Sequence, residues 1–522
     1  MVAGMLDIWE VLARAARQAG SRTAVRRGRS TLDYADLARR ASSLVRFVRS
    51  AGLEPGDRVA ALMPNCPEML LAYFACAGSR TVIVPLNIRL AAPELGDVLT
   101  RSRARLLLVH DGCARLVDEA LEHAGEVEQV VWAGRAEACT GRSARLDEAA
   151  APGPLLSPGA VDPDAPAQLY YTSGTTGRPK GVVLTHRNVC VHARAAVEEL
   201  ELGPADVWAH VAPMFHLADA WATFAVTMVG GTHVTMERFD AASALELISR
   251  ERVTITNLIP TMLNLMVKSE RAAHHDYSSL RLMLSGGSPV SPDLVRRVMD
   301  VLGCEYVQTY GMTETSPYLT VSILEPWMRR LPADEQIRYR AMTGRPFGPV
   351  RLAVVDEHGR AVAEDGEQVG EILAAGPTVT PGYFEDPEET RRAFSDGWLR
   401  TGDLAVVDPS GFIDIVDRKK DMIITGGENV YTVEVENALY DHPGVLEAAV
   451  VGVPDETYGE TVRAVVVPAP GAALTASAIV EHCRRSLAGY KCPRSVRFVD
   501  ALPRTGSGKI DKKELRSAPG RV

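Results

Sequence analysis

From Tyr171 to Gly181 the sequence reads Tyr-Thr-Ser-Gly-Thr-Thr-Gly-Arg-Pro-Lys-Gly. Gly174, Gly177 and Gly181 let the backbone turn sharply and approach a ligand closely. Thr172, Ser173, Thr175 and Thr176 bring four hydroxyls that, with exposed backbone N–H groups, can donate to phosphate oxygens. Arg178 and Lys180 add positive charge. This is chemistry for holding a polyphosphate. It is not the Gly-x-x-x-x-Gly-Lys-Ser/Thr loop, because that spacing is absent and Pro179 separates the two cations. The same residues would also serve as a polar turn between two strands, the ordinary use of a Gly/Ser/Thr-rich stretch.

Four later segments carry unusual local chemistry. Ser285-Gly286-Gly287-Ser288-Pro289 follows an expected strand, Leu280 to Leu284, and its glycines would let a flat ring lie against backbone. Tyr310-Gly311-Met312-Thr313-Glu314-Thr315 follows Tyr306-Val307-Gln308. Asp396-Gly397-Trp398-Leu399-Arg400-Thr401-Gly402-Asp403 places a carboxylate after a tight turn. Leu502 to Ile510 puts Lys509 on a glycine-rich loop near the C-terminus. Taken singly, each has an ordinary explanation: Glu314 or Asp403 as a cap, Lys509 as a solvated cation.

These groups need a scaffold of matching size. At 522 residues the chain exceeds what one hydrophobic core usually supports, so at least two domains are expected. With 46% apolar residues, a disordered scaffold is excluded. A net charge of −9 gives no general pull toward nucleic acid. No apolar stretch is long enough to span a bilayer, and the first residues lack the basic-then-apolar pattern of a signal peptide. The eight cysteines are scattered with no CxxC pair, which fits reduced thiols and a cytoplasmic location.

Helical spacing at Ile8, Val11 and Leu12, and again from Tyr34 to Val48, alternates with short apolar runs. The runs at Val59–Met63, Val82–Val84 and Leu106–Val109 read as buried strands. That rhythm predicts an α/β fold of layered, mostly parallel sheets covered by helices. From Gly366 the texture shifts to short strands and Gly/Pro/Asp turns, with strands at Val369–Leu373 and Gly411–Val416. A charged knot, Asp417-Arg418-Lys419-Lys420-Asp421, follows. Beyond it a self-contained run is expected: helix near Val433–Tyr440, strands near Leu446–Val453 and Val462–Val467, helix near Ala476–Leu487. The boundary is placed at the knot, giving an N-terminal domain of residues 1–419 and a small α+β C-terminal domain of residues 420–522.

All of these motifs in this order resemble the adenylate-forming superfamily of acyl-CoA synthetases, coumarate-CoA ligases, firefly luciferase and nonribosomal-peptide adenylation domains. The likeness runs from the loop at Tyr171 to Lys509 and implies a role for each residue. Thr172, Ser173, Gly174, Thr175, Thr176, Gly177 and Lys180 would enclose the triphosphate of ATP. Gly286, Gly287 and Ser288 would line adenine, with Tyr310 stacked nearby. Thr313 would face the α-phosphate, Glu314 would help hold Mg²⁺, and Asp403 would grip the ribose hydroxyls with Arg418. Lys420 would be the hinge. Lys509 would enter from the small domain for adenylation, and Gly426 and Gly427 would replace it to admit the pantetheine of coenzyme A.

The resemblance therefore implies a ligase that makes acyl-AMP and pyrophosphate from an acid and ATP, then acyl-CoA and AMP. Two departures stand out. Thr432 replaces the proline usual in Gly-Glu-Asn-Val-Tyr-Pro-x-Glu, which is expected to loosen the turn. Ile424 stands where luciferase-like members carry a lysine. Ala212 to Trp221 resembles the start of the acid pocket, with His216 as a gate residue; a core histidine is the alternative. His216 takes the place of the aspartate that pairs with an amino acid's ammonium, which disfavours such a substrate. Asp219 either faces away or marks a polar group on the acid. A medium-chain fatty or aryl-alkyl acid is expected, on a monomer or homodimer. Loading of an acyl carrier protein is the enzymatic alternative, and a degenerate nucleotide-binding module the non-enzymatic one.

Overall fold

The computed structural model describes residues 6–28, 30–134, 143–157, 159–173, 179–504 and 510–517. Among them, two large sheets enclose the main core. The nine-stranded sheet runs in the order Arg345–Pro346, Tyr318–Val321, Glu305–Gly311, Leu282–Gly286, Ile255–Leu258, Val207–His210, Thr232–Thr235, Thr23–Arg27 and Ser30–Asp33. From Glu305–Gly311 to Thr23–Arg27 every pairing is parallel; both edges are closed by antiparallel strands. The seven-stranded sheet is parallel as far as Pro166–Ser173, which turns back antiparallel onto Pro179–Thr185.

Helices fill the space between because their apolar residues demand it. Pro67–Ser79 is buried almost all round and starts with proline at its first turn, where a missing N–H costs nothing. Ile8–Ala19 and Tyr34–Ser50 are amphipathic and begin under Asp7 and Asp33, whose side chains accept from the backbone N–H of Trp9 and Asp36. Leu217–Val229 ends at Gly230, left-handed at φ +70. Its Phe224 stands edge-on to Tyr73 and Phe74 at 5.6 and 5.8 Å, in the middle of the core.

A third, antiparallel sheet takes its strands from residues 351–418 and a fourth from residues 423–498. The change of texture thus begins at Arg351–Val355, which pairs with Gly370–Ala375, earlier than the expected Gly366. In the fourth sheet the long strands Val445–Asp455 and Gly459–Pro468 pair antiparallel and bury their valines against Thr432–Tyr440 and Ala476–Arg484. No helix among the described residues is long and apolar enough to cross a membrane. The seven cysteines described are all buried and unpaired, and burial pushes each thiol upward, Cys76 and Cys304 to about 12.

Candidate active site

The parallel strands Leu282–Gly286 and Glu305–Gly311 end side by side, with Gly286 opposite Thr309. The first is shifted from the expected Leu280–Leu284, so Ser285 and Gly286 are part of the strand. A Cβ at Gly286 would sit 2.5 Å from Thr309 Oγ1 and 2.7 Å from Thr309 O, so glycine is required by close approach. Gly287 turns at φ +85, and the Ser288 carbonyl accepts from Gln308 Nε2 at 3.0 Å. The three residues expected to line a base therefore lie at and just beyond the carboxyl end of a parallel strand, the edge at which open α/β sheets bind ligands.

Tyr310 leaves the next strand in the same place. Its hydroxyl donates to Asp403 Oδ2 at 2.7 Å, and Arg418 Nε lies 3.3 Å from Asp403 Oδ1. Asp403 and Arg418 face each other across the antiparallel pair Trp398–Val407 and Ile413–Arg418. Burial and the neighbouring carboxylate push the Tyr310 phenol well above its ordinary value, so it stays a donor. A nearly buried carboxylate flanked by a neutral donor and a guanidinium is a rigid acceptor pair, suited to two adjacent hydroxyls.

The chain then folds back so tightly that a Cβ on Gly311 would lie 1.9 Å from the Pro317 carbonyl oxygen. Within that turn Thr313–Thr315 is one short 3-10 segment. The Glu314 carbonyl accepts from Thr380 N at 2.7 Å, and its Oε1 accepts from the Tyr383 hydroxyl at 2.9 Å. The Tyr383 ring centroid lies 5.5 Å from Lys180 Nζ, and Lys180 is paired with Glu389. Thr172 lies opposite Lys180 in the hairpin of Pro166–Ser173 and Pro179–Thr185. Glu314, on the turn that follows a strand of one large sheet, and Lys180, in a strand of the other, thus converge on Tyr383. Gly174, Thr175, Thr176 and Gly177 lie outside the described residues, as do Arg178 and Lys509, and so does the side chain of Ser173.

Sequence reasoning missed Tyr383 and Glu389. Pro381-Gly382 marks a turn there, but nothing in the spacing links Tyr383 to a glutamate 69 residues earlier.

On the other side, His216 precedes the helix Leu217–Val229, half-buried and edge-on to Phe215 at 4.7 Å. Asp219 turns into the core. It accepts from Trp208 Nε1 at 3.2 Å and meets His210 Nδ1 at 2.6 Å. His210 Nε2 lies 2.9 Å from His233 Nδ1, and His233 Nε2 3.0 Å from Thr227 Oγ1. Burial holds His233 well below the usual histidine range, with His210 adding to the shift. Asp219 thus resolves as the anchor of a buried chain of polar groups. Trp221 is also a core residue, perpendicular to Trp208 at 5.0 Å and close to His192 at 5.4 Å.

Gly426 and Gly427, at φ +60 and +87, form the two-residue turn of a hairpin in which Thr425 pairs with Glu428. Both are exposed, and Lys420 lies exposed in the short connection from Arg418 to Ile423. The expected loosening at Thr432 is not found. Its N–H and its Oγ1 both donate to Asp417, at 2.5 and 3.0 Å, which a proline could not do.

Comparison with known proteins gives a consistent picture. Residues 12–384 match the AMP-binding enzyme family and residues 434–509 match its C-terminal domain. A feruloyl-CoA synthase of Amycolatopsis sp is 42% identical over 514 residues, covering 98% of each chain. A fatty acid–[acyl-carrier-protein] ligase of Streptomyces coeruleorubidus is 37% identical, covering 93% of this chain and 91% of that one. The amide bond synthetase McbA of Marinactinospora thermotolerans superposes with a TM-score of 0.86 at 29% identity, covering 98% of this chain and 99% of that one.

Proposed function

The chain belongs to the AMP-binding enzyme family and is an adenylate-forming ligase, and on that premise we propose that it joins a carboxylic acid to coenzyme A in two steps. The observation that carries the reading is the Tyr310–Asp403–Arg418 cluster beside the strand ends at Gly286. Adenine lies along Gly286, Gly287 and Ser288, and Asp403 accepts from the ribose hydroxyls. The segment Thr172 to Lys180 holds the phosphates. There Lys180 exchanges its partner Glu389 for a phosphate oxygen.

In the first step a carboxylate oxygen of the acid attacks the α-phosphorus, and pyrophosphate leaves. Two anions must meet, so cations are needed rather than a base. Lys509 bridges the carboxylate and the α-phosphate, and Thr313 faces that phosphate. A carboxylate beside bound phosphate oxygens would suit Mg²⁺, which keeps several waters and takes few protein ligands. Glu314 is that carboxylate, oriented by the Tyr383 hydroxyl. Bound Mg²⁺ supplies charge neutralisation on the phosphates.

In the second step the small domain, residues 420–522, turns about Lys420. Lys509 withdraws, and the Gly426–Gly427 hairpin forms one wall of a passage for the thiol. The thiol attacks the mixed anhydride, and AMP leaves. His216 stands between the acid and nucleotide sites. The acid is an aryl-alkyl or medium-chain aliphatic one. The 42% likeness to a feruloyl-CoA synthase supports the aryl choice. Loading of a carrier protein is the second reading, favoured by the 37% likeness to a fatty acid–[acyl-carrier-protein] ligase.

Incubation with ATP, Mg²⁺, coenzyme A and a pooled panel of aryl and aliphatic acids, followed by mass spectrometry, tests this. Acyl-CoA is the expected product. Acyl-AMP without acyl-CoA would favour the carrier-protein reading, and absence of both across the panel would sink the proposal.

A further inference from the structure

Asp417, one residue before Arg418, is 2% exposed and satisfied entirely from within the protein. Its Oδ2 accepts from the backbone N–H of Thr432 at 2.5 Å; its Oδ1 accepts from Thr432 Oγ1 at 3.0 Å and from the Arg418 N–H at 2.7 Å. Thr432 is wholly buried and is the first residue of the helix Thr432–Tyr440. Its hydroxyl accepts in turn from Lys512 Nζ at 2.7 Å, and that ammonium lies 2.8 Å from Glu436. Within the small domain, Arg516 pairs with Asp421 at 2.8 Å beside it.

Three elements are therefore fastened at one buried point: the strand Ile413–Arg418, the helix Thr432–Tyr440 and the terminal helix Lys512–Ser517. Lys420 lies between Asp417 and Thr432 in the chain, so rotation there carries Thr432 and Lys512 away from Asp417 together. Burial raises the Asp417 carboxyl above its ordinary value, while Thr432 and Lys512 pull it back down. A buried carboxylate that lost those donors would be strongly destabilised unless water reached it. In the orientation described, residues 426–429 are exposed, so this is not the arrangement in which their hairpin lines a thiol passage.

We propose that Asp417, Thr432 and Lys512 form a clasp that positions the small domain for adenylation and opens for thiol transfer. The proposal rests on the reading of Lys420 as the hinge. The clasp is separable from the helix it touches, because the first helical position accepts proline without penalty and has no intrahelical use for its N–H. Removing the donors at Thr432 therefore tests the clasp without breaking the helix.

Thr432→Val deletes one donor at nearly constant volume, Thr432→Pro deletes both, and Thr432→Ser keeps both. Adenylation is read by ATP–pyrophosphate exchange. Transfer is read separately, from chemically prepared acyl-adenylate and coenzyme A. One lost hydrogen bond to a buried carboxylate shifts a two-state balance about tenfold or more. Exchange is expected to fall about tenfold in Thr432→Val and about 100-fold in Thr432→Pro. Transfer should hold or quicken, and Thr432→Ser should match the parent. Equal losses in both half-reactions, or none in either, would overturn the clasp.

Amide hydrogen exchange of the full chain without ligands supplies an independent readout. Peptides covering residues 432–440 and 510–517 should exchange faster together in Thr432→Pro and in Asp417→Asn. Unchanged exchange there overturns the clasp even if the parent activates none of the acids tried, the outcome that would sink the assigned reaction on its own account.

Discussion

At the ends of the strands Leu282–Gly286 and Glu305–Gly311 the chain is held by backbone crowding. Gly286 and Gly311 have no room for a Cβ, and a charged pair, Asp403 with Arg418, sits across adjacent strands. At the start of the helix Leu217–Val229 the opposite holds. There Asp219, His210, His233, Trp208 and Thr227 fix the backbone through side chains drawn from two strands and the helix itself. The first region spends its polar groups facing the site. The second spends them facing away, to hold a wall in place. Changes to the second should therefore cost stability before function, and changes to the first function before stability.

The largest test of that contrast is Asp219→Ala. Removing one partner of a buried pair leaves His210 unsupported, at a cost of about 3–5 kcal/mol in denaturant unfolding. KM for the acid, measured on the surviving folded enzyme, should move by less than about threefold. A large KM effect with little loss of stability would break the comparison. Next comes Asp403→Ala, where ATP–pyrophosphate exchange should drop by about 100-fold, about 2.7 kcal/mol of lost stabilisation. Its melting temperature should stay within a few degrees of the parent.

A third test uses acid. His192 belongs to the same aromatic cluster as Trp221 and Tyr318, and burial depresses it from 6.5 to about 3. Its Nε2 accepts from the Tyr318 N–H, which requires the neutral ring. A depressed folded value means that the stabilisation is present above 6.5 and lost as pH falls toward 3, because the unfolded chain takes the proton first. From pH 6.5 to 5 this amounts to about 2 kcal/mol, and His192→Gln should flatten the slope of stability against pH by about one proton. An unchanged slope would remove His192 from the account. The smallest effect is expected from Glu389→Gln. Freeing Lys180 from its carboxylate should lower KM for ATP by about twofold, since this part-buried lysine only exchanges one anionic partner for another.

The same contrast explains what could be read from the sequence. Tyr34–Ser50, Arg58–Leu62, Val82–Pro85 and Ala104–His110 follow the expected helix and strands within a few residues, because period and apolar content are local properties. Gly286, Tyr310, Glu314 and Asp403 stand out in sequence because their surroundings demand particular residue types at fixed spacing. Asp219 could not be assigned from sequence, since its partners lie 9 and 11 residues away on another element and chain order says nothing of which way it turns. The antiparallel edges of the large sheet, and the early start of the third sheet at Arg351, were hidden for a similar reason. Pairing direction depends on the path between strands, not on the strands themselves. Thr432 was misjudged because loss of proline was weighed without the donors that threonine gains.

The buried cysteines acquire a chemical meaning beside this reaction. A mixed anhydride acylates any thiolate it meets, and a protein that makes one repeatedly is exposed to its own product. Every cysteine among the described residues is buried and its thiol is pushed upward, so none presents a competing nucleophile at neutral pH. Among the described residues, then, the packing of the core leaves no thiol to compete with the acceptor's sulfur for the activated acyl group.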